Sequence, residues 1–208
     1  MFPPLPDAPA HECPPLRLRL ISAVAFVLFA LVIYDVCNLI ASWRGVTRCV
    51  AFAWEFEIPR VNWFVVPYWA IDVLLALSPL FTQRYDEWRT LLRRLFWVFT
   101  VSCAIFLVFP CRCDFPRSIP NDWTAPLFRL LHFTDLPFNQ APSLHVSEAI
   151  IVAPVLLARL RHVALRAALI VWIILGSLGT VLVHQHHVLD LITGAVFGYI
   201  IVKLIPRR

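Results

Sequence analysis

Six apolar runs, separated by shorter polar segments, make up most of the 208-residue chain. Each run is close to the ~17–25 residues that an α-helix needs to cross a bilayer, although several are at the short end of that range. The pattern therefore predicts an all-α fold, an integral membrane bundle of about six transmembrane helices. The predicted spans are Leu18–Ile40, Val61–Phe81, Leu95–Pro110, His145–Leu160, Ala167–Val183 and Val188–Ile205.

Composition agrees with a membrane location. Hydrophobic residues make up 60% of the chain and charged residues 15%, whereas soluble domains are about 45–50% apolar. We expect a single transmembrane domain, residues 17–208, after a proline-rich and disordered cytoplasmic tail, residues 1–16. The first apolar run is long and five more follow it, so we interpret it as a retained span rather than a signal peptide.

Basic residues predict how the bundle is oriented. One side of the predicted membrane carries twelve of the eighteen Lys and Arg residues, and cytoplasmic segments are the ones enriched in positive charge. Both termini are therefore predicted to be cytoplasmic, and the expected partner is the lipid bilayer. No polar segment is large enough to form a nucleic-acid-binding surface. The twelve residues are Arg17, Arg19, Arg84, Arg89, Arg93, Arg94, Arg159, Arg161, Arg166, Lys203, Arg207 and Arg208.

Three histidines lie within four positions of the segment HQHHVLDLITG, residues 184–194. In the predicted topology this segment joins spans five and six at the extracytoplasmic face, where His145 also begins span four. His186 and Asp190 are four residues apart, which places them on one face of a helix that begins near residue 186. The carboxylate can then orient the imidazole, and the histidine gives a carboxylate near the bilayer the partner that it needs.

A second polar segment, FNQAPSLHVSEA (residues 138–149), leads into span four. Ser143 is predicted to cap this helix, and the free backbone N–H groups of its first turn form an anion site. Arg112 and Arg117 lie upstream in the same outer loop, and their guanidinium groups suit the oxygens of a phosphate. Two arginines, a helix N-terminus and two histidines predict a phosphate site at the extracytoplasmic face.

Taken together, the two segments resemble the type 2 phosphatidic acid phosphatase superfamily of membrane lipid phosphatases and phosphotransferases. The PSLH form at residues 142–145 resembles the branch that includes inositol phosphorylceramide synthases and some bacterial membrane phosphatases. The stretch EIPRVNWFVVPYWAID, residues 57–72, also resembles that branch. The resemblance runs from about residue 58 to 200 and implies a multi-pass protein of a bacterial plasma membrane.

The resemblance implies roles for three residues. His186 would be the nucleophile that forms a phosphohistidine, Asp190 would orient it, and His145 would protonate the leaving oxygen. The expected reaction is hydrolysis of a membrane lipid phosphate ester, phosphatidate-like or polyprenyl-phosphate-like. No metal or other cofactor is implied.

Substrate binding would fall to Arg112, Arg117, Ser143 and Leu144. The arginines correspond to the superfamily's first motif, although here Ser118 stands where a proline usually follows the second basic residue. In the third motif, Gly179 and Thr180 replace a Ser-Arg pair. One arginine that would bind phosphate is therefore missing.

Two other functions fit the same residues. A phosphotransferase would pass the phospho-head group to an alcohol in place of water, in the manner of an inositol phosphorylceramide synthase. A metal or haem protein without enzymatic activity would use His145 and His186 as ligands on facing helices, but that function has no use for Arg112 and Arg117.

Several polar residues have plainer interpretations. His187 is expected to be a packing residue, and His184 to lie at the interface or to touch substrate. Asp35 and Asp72 are expected to bond to a neighbouring helix, or to lie near the membrane interface, rather than to form an ion path. Glu148 either orients His145 or faces a polar cavity. Cys49 could form a disulfide with one of two outer cysteines, Cys111 or Cys113.

Overall fold

The structure of the protein, a computed structural model, describes residues 12–207. This part of the chain contains α-helices, short 3₁₀ turns and loops, without β-strands. The predicted disordered tail lies largely in residues 1–11, outside the described residues. The helices are α1 Leu16–Trp43, α2 Val65–Leu77, α3 Tyr85–Val108, α4 Ala125–Thr134, α5 Leu144–Leu157, α6 Val163–Leu182 and α7 Val188–Leu204.

The all-α prediction is confirmed, and every predicted span corresponds to a helix. Within residues 12–207, four helical segments are long and apolar enough to cross a membrane: Leu16–Trp43, Asn62–Phe81, Tyr85–Val108 and Val163–Leu182. The second of these is α2 with the 3₁₀ turn at each of its ends. By contrast, α5 has 14 residues and α7 has 17, so the number of complete crossings, six, stays a prediction.

The predicted spans two and three leave residues 82–94 between them as a loop, and this prediction is wrong for most of that segment. Helix α3 begins at Tyr85, ten residues before the predicted span, and has Asp86 and Glu87 in its first turn. Acidic side chains at a helix N-terminus are favourable because they face the positive end of the helix dipole. The apolar run in the sequence predicted only the later part of this helix, from Leu95 onwards.

Ionic contacts connect the helix ends at the end of the bundle opposite the histidines. Glu87 pairs with Arg159 after α5, and Asp86 accepts from Arg207 after α7 at 2.7 Å. Arg19 of α1 donates to the carbonyl oxygen of Leu80 at 2.7 Å. The start of α1, the start of α3, the α5–α6 connection and the residues after α7 therefore share one end of the bundle.

Small residues allow α5 and α7 to approach closely. A Cβ added to Gly194 of α7 would lie 2.5 Å from the carbonyl oxygen of Ser143, and one added to Gly198 would lie 2.9 Å from Ser147. Ser147 Oγ also donates to the carbonyl oxygen of Gly194 at 2.8 Å. Close crossings of this kind are typical of membrane helices. This crossing brings the start of α5, with His145, next to the start of α7.

Helix α4 was not predicted from the sequence. It is a ten-residue amphipathic helix that buries Phe128 and Leu131, which pack with Val65 and Tyr68 of α2 in one apolar cluster. The helix lies at the histidine end of the bundle and leads into Asp135, one of the carboxylates described below.

Candidate active site

His186 lies in a tight turn between α6 and α7. His184 in this turn has φ 62°, and the backbone N–H groups of Gln185 and His186 both donate to the carbonyl oxygen of Thr180, at 3.0 and 2.9 Å. The prediction that a helix begins near residue 186 is therefore wrong by two residues, because α7 begins at Val188 with His187 as its N-cap. The turn nevertheless leaves the His186 ring buried and directed towards the first turn of α7.

The Asp190 carboxylate accepts two hydrogen bonds at one oxygen and lies beside His186, whose Nδ1 is buried without a hydrogen-bond partner. His186 Nδ1 lies 3.5 Å from Asp190 Oδ2, and the backbone N–H of His187 donates to the same oxygen at 2.9 Å. When the amide of Gln140 is oriented with its nitrogen towards acceptors, that nitrogen also donates to Oδ2, at 3.1 Å. The predicted His186–Asp190 pair is thus brought together by a loop and a helix start, with Nδ1 as the ring nitrogen nearer to the carboxylate.

His145 lies in the first turn of α5, close to His186. The centroids of the two rings are 5.9 Å apart at an interplanar angle of 67°. Tyr68 of α2 stacks on His145 with a centroid distance of 4.3 Å. His145 Nε2 lies 3.2 Å from Oδ1 of Asp72, one turn further along α2. Each of the two histidines is therefore next to a carboxylate of its own.

Ser143 and Leu144 lie where α5 begins. Ser143 is at the N-cap position, but its side chain makes no capping hydrogen bond, so the predicted cap is wrong. Its Oγ is buried without a hydrogen-bond partner, because the close crossing with α7 holds its backbone N–H on the carbonyl oxygen of Asp190 at 3.0 Å. Leu144 is buried and lines the apolar cavity described below.

The two predicted phosphate-binding arginines have different surroundings. Arg112 is on the surface and pairs with Asp114 at 2.9 Å, with 45% of its side chain exposed. Arg117 is partly buried, and its Nη2 donates to the carbonyl oxygens of His132 and Asp135, at 3.2 and 2.6 Å. Arg117 therefore holds the end of α4 near the histidines, whereas Arg112 contacts neither histidine in the described structure.

Asp135 is a carboxylate of this site that the sequence reasoning missed. Its Oδ1 accepts from Tyr34 Oη at 2.9 Å and from Asn38 Nδ2 at 3.3 Å. Burial raises the pKa of Asp135, while the nearby His186 acts in the opposite direction. It follows α4 in a loop and has no histidine at helical spacing, so no sequence signal pointed to it.

His187 is a packing residue, as predicted. Its ring is buried, and its Nδ1 lies 2.9 Å from Oε2 of Glu55, a fully buried carboxylate. The same Oε2 accepts the backbone N–H of Val188 at 3.0 Å. Phe115 stacks on both His187 and His184. These contacts attach the outer loops to the start of α7 and fix the turn that carries His186.

His184 makes structural contacts. Its Nε2 lies 3.0 Å from the carbonyl oxygen of Ile58, and burial lowers its pKa. All six cysteines are free thiols in the structure. Burial raises the pKa of Cys49 to about 11 and that of Cys113 to about 12, so both thiols are protonated at neutral pH.

Gly179 and Thr180 have a packing explanation. A Cβ added to Gly179 would lie 3.1 Å from the carbonyl oxygen of Phe64 at the start of α2. Thr180 is fully buried, and its carbonyl oxygen accepts the two N–H groups of the His186 turn. A serine and an arginine at these positions would disturb the contact between α2 and α6 and the turn itself.

A cavity of about 370 Å³ begins at His145 and extends between α1, α2, α3 and α5. Its walls are mainly apolar and include Phe26, Leu31, Trp69 and Phe99. A cavity of this shape and chemistry, with an imidazole at one end, suits a molecule that has an apolar chain and a reactive polar head.

Residues 110–208 match a family model described as the PAP2 superfamily. The matched stretch is slightly less than half of the chain, begins later than the predicted resemblance, and includes Arg112, Arg117, His145, His186 and Asp190. The match supports a phosphatase- or phosphotransferase-type activity in general, and the long apolar helices indicate an integral membrane protein. The chain matches no curated protein and no solved structure.

Proposed function

We propose that this protein hydrolyses a phosphate ester of a membrane lipid through a phosphohistidine at His186. The observation that carries the proposal is the pair of imidazoles, 5.9 Å apart and each beside a carboxylate, at the end of an apolar cavity. Nucleophilic catalysis needs an activated nucleophile with an orienting partner, and departure of an alkoxide needs an acid nearby.

In the first step His186 attacks phosphorus. Because Asp190 lies beside Nδ1, Nε2 is the nitrogen with a free lone pair for the attack. The N–P bond forms, the bond from phosphorus to the lipid oxygen breaks, and protonated His145 gives its proton to that oxygen. The lipid leaves as an alcohol, and Asp190 stabilises the positive charge that develops on the His186 ring.

In the second step the histidines return to their starting states. Neutral His145 takes a proton from water while the water oxygen attacks phosphorus, and the N–P bond breaks. Inorganic phosphate leaves, His186 regains its lone pair, and His145 is again protonated. The two steps consume one water and release one alcohol and one phosphate, so protons balance without a metal ion.

Positive groups near the start of α5 support binding of the phosphate. Backbone N–H groups in the first turn of α5 suit an anion. Arg117 donates to the carbonyl oxygens of His132 and Asp135, and these hydrogen bonds place its positive charge at the same end of the bundle. Arg112 would have to leave Asp114 to take part. We include Arg117, Ser143 and Leu144 in the binding site, with Arg112 as a residue recruited by substrate.

The proposal also includes the location of the reaction. The histidine end of the bundle is opposite the end that carries most of the basic residues, and the positive-inside rule then assigns the histidines to the extracytoplasmic face. We assign the protein to a bacterial plasma membrane. A cysteine placed at Asn121 in a cysteine-free variant should react with an impermeant thiol reagent added outside, and labelling only in inside-out vesicles would reverse this orientation.

The test is a panel of lipid phosphates given to purified protein in non-ionic detergent. Free phosphate and lipid-linked transfer product are measured in parallel, with and without an alcohol acceptor. We expect phosphate release that is lost in His186→Ala and kept in His162→Ala, a matched change at an exposed histidine before α6. Product that appears only with the acceptor would assign transfer, and no turnover of any phosphate ester would contradict the proposal.

A further inference from the structure

Helix α4 has an apolar face that nothing else in residues 12–207 covers. Leu130 and Phe133 lie on this face and are 48% and 87% exposed, whereas Phe128 and Leu131 lie on the opposite, buried face. Trp123, two residues before the helix, is 67% exposed. Single exposed apolar residues are ordinary, but a helix that is apolar on two opposite faces is normally covered on both.

The contacts of α4 place it beside the end of a membrane helix rather than beyond it. Phe128 and Leu131 pack with Val65 and Tyr68. These two residues follow Asn62, where a segment long and apolar enough to cross a membrane begins, by three and six positions. That separation is about 5–9 Å along the helix axis. Amphipathic helices in a membrane interface have their apolar face buried to a similar depth, about 5–10 Å.

Helix α4 also runs from one membrane helix to another. Before it, Asn62 Nδ2 donates to Asp122 at 2.7 Å. After it, Asp135 accepts from Tyr34 and Asn38 of α1, at 2.9 and 3.3 Å. With ten residues, or about 15 Å of length, α4 is too short to cross a bilayer. These contacts suit a helix that lies along the membrane surface.

We propose that α4 is an interfacial helix and that its exposed face lies among the lipids of the leaflet at the histidine end of the bundle. This face continues the apolar outer surface of the neighbouring helices, where Val32 of α1 and Val73 of α2 are 64% and 54% exposed. Trp123 belongs to a residue type that is enriched at membrane interfaces. The inference does not depend on the proposed phosphatase activity.

Arg129 favours lipid over a protein partner as the cover of this face. It is exposed, lies one residue before Leu130 and four before Phe133, and has no ion pair within residues 12–207. At a membrane interface a long basic side chain keeps its stem among apolar chains and extends its charge to the lipid phosphates. Under an apolar protein surface the same charge would be buried without a partner, which is costly.

The other side of α4 borders the apolar cavity. Leu131, Thr134 and Asp135 are among the cavity-lining residues. Arg117 holds the end of the helix through the carbonyl oxygens of His132 and Asp135. Helix α4 therefore separates the bilayer from the cavity on this side, so that lipid contact with its outer face would stabilise one wall of the cavity.

Spin labels can measure the depth of the exposed face. Phe133→Cys, Val32→Cys and Asn121→Cys are made singly in a cysteine-free variant, labelled, and reconstituted into vesicles of phosphatidylcholine and phosphatidylglycerol. Collision of each label with oxygen, which concentrates in the bilayer, is compared with collision with a water-soluble nickel chelate. We expect oxygen to dominate at residue 133, as at the exposed residue 32 of α1, and the nickel chelate to dominate at residue 121 in the loop.

Two results would overturn the inference. A label at residue 133 that collides mainly with the nickel chelate would place this face in water. A label that is shielded from both reagents would show that protein covers the face, and spin–spin broadening would identify that protein as a second copy of the chain.

The second test keeps the natural cysteines. An aspartate at residue 133 would lose hydration in a lipid interface, so we expect Phe133→Asp to lower the unfolding temperature in the same vesicles. Phe133→Leu keeps an apolar side chain and should leave that temperature nearly unchanged. Equal unfolding temperatures for Phe133→Asp and the wild type would overturn the inference, because changes at water-exposed positions have little effect on stability. Neither test uses turnover, so a failure of the phosphatase proposal would leave both results valid.

Discussion

At the scale of single residues, the proposed mechanism gives His145 and His186 different roles. In the proposed mechanism His186 is the nucleophile and is needed for every substrate, whereas His145 is an acid and is needed most when the leaving oxygen is a poor leaving group. His145→Ala should therefore lose far more activity on a lipid phosphate than on an activated aryl phosphate, and His186→Ala should lose both. Initial rates on the two substrates measure this, and an equal loss in His145→Ala would contradict the assigned roles.

The two carboxylates should be distinguishable by the same comparison. Asp72 is a positioning residue that acts through His145, since its Oδ1 lies 3.2 Å from Nε2 of that ring. We expect Asp72→Asn to lose about tenfold or more on the lipid phosphate and little on the aryl phosphate. Asp190→Asn should weaken the nucleophile and lower both rates alike. If Asp72→Asn lost the same activity on both substrates and also had a lower unfolding temperature, Asp72 would be a structural residue only.

The sequence predicted the residues of this site that lie close together along the chain. His186 and Asp190 were predicted from their spacing, and His145 from the segment that starts α5. Asp72 was noticed only as an acid within a predicted span, and Asp135 not at all, because their positions near the histidines depend on how α2 and α4 pack. The Ser143 cap failed for the same reason, since the crossing with α7 determines what its backbone bonds to.

At the scale of elements, the crossing of α5 and α7 determines the distance between the two histidines. A side chain at Gly194 would collide with the backbone of Ser143, and overpacking of this kind costs about 1–3 kcal/mol. We expect Gly194→Leu to lower the unfolding temperature and to remove most of the phosphatase activity, because α5 and His145 must move. Val196→Leu enlarges a side chain on the exposed face of the same helix and serves as the control. Full activity in Gly194→Leu would show that the crossing does not position the site.

Because of His132 in α4, the unfolding temperature of the protein should depend on pH. Burial, followed by the charges of Arg117 and Arg60, lowers the pKa of His132 from 6.5 to about 4. A histidine whose pKa is lower in the folded state stabilises the fold fully above about pH 6.5, and this contribution is lost as the pH falls towards 4. We expect the unfolding temperature to fall over this range and His132→Gln to reduce the fall. An unchanged pH profile in His132→Gln would contradict this account.

The helices could be predicted from the sequence only where their residues are apolar. The apolar runs indicated six of the seven helices, but α3 continues for ten residues through its charged part, and α4 is too short and too mixed in composition to stand out. The charged start of α3 is helical because Asp86 and Glu87 find partners in Arg207 and Arg159, which lie more than 70 residues away in the sequence. Contacts of this kind depend on the assembled bundle.

For the molecule as a whole, the two ends of the bundle have different tasks. One end connects helices through ion pairs between α3, the α5–α6 connection and the end of the chain. The other end places two histidines, their carboxylates and the outer loops around the opening of an apolar cavity. In the proposed function this arrangement would hold the apolar chain of a lipid in the cavity and its phosphate beside the two histidines.

The most direct test of the central claim is to trap the covalent intermediate. Purified protein is mixed with a phosphorus-labelled aryl phosphate, quenched within milliseconds, and analysed for acid-labile phosphate bound to protein. Because His145 activates the water that removes the phosphoryl group, we predict that His145→Ala accumulates more phosphohistidine than the wild type does. Peptide mapping should place that phosphohistidine at His186, and His186→Ala should form none. Labelled phosphohistidine in His186→Ala, or turnover by the wild type without any trapped intermediate in His145→Ala, would contradict the account.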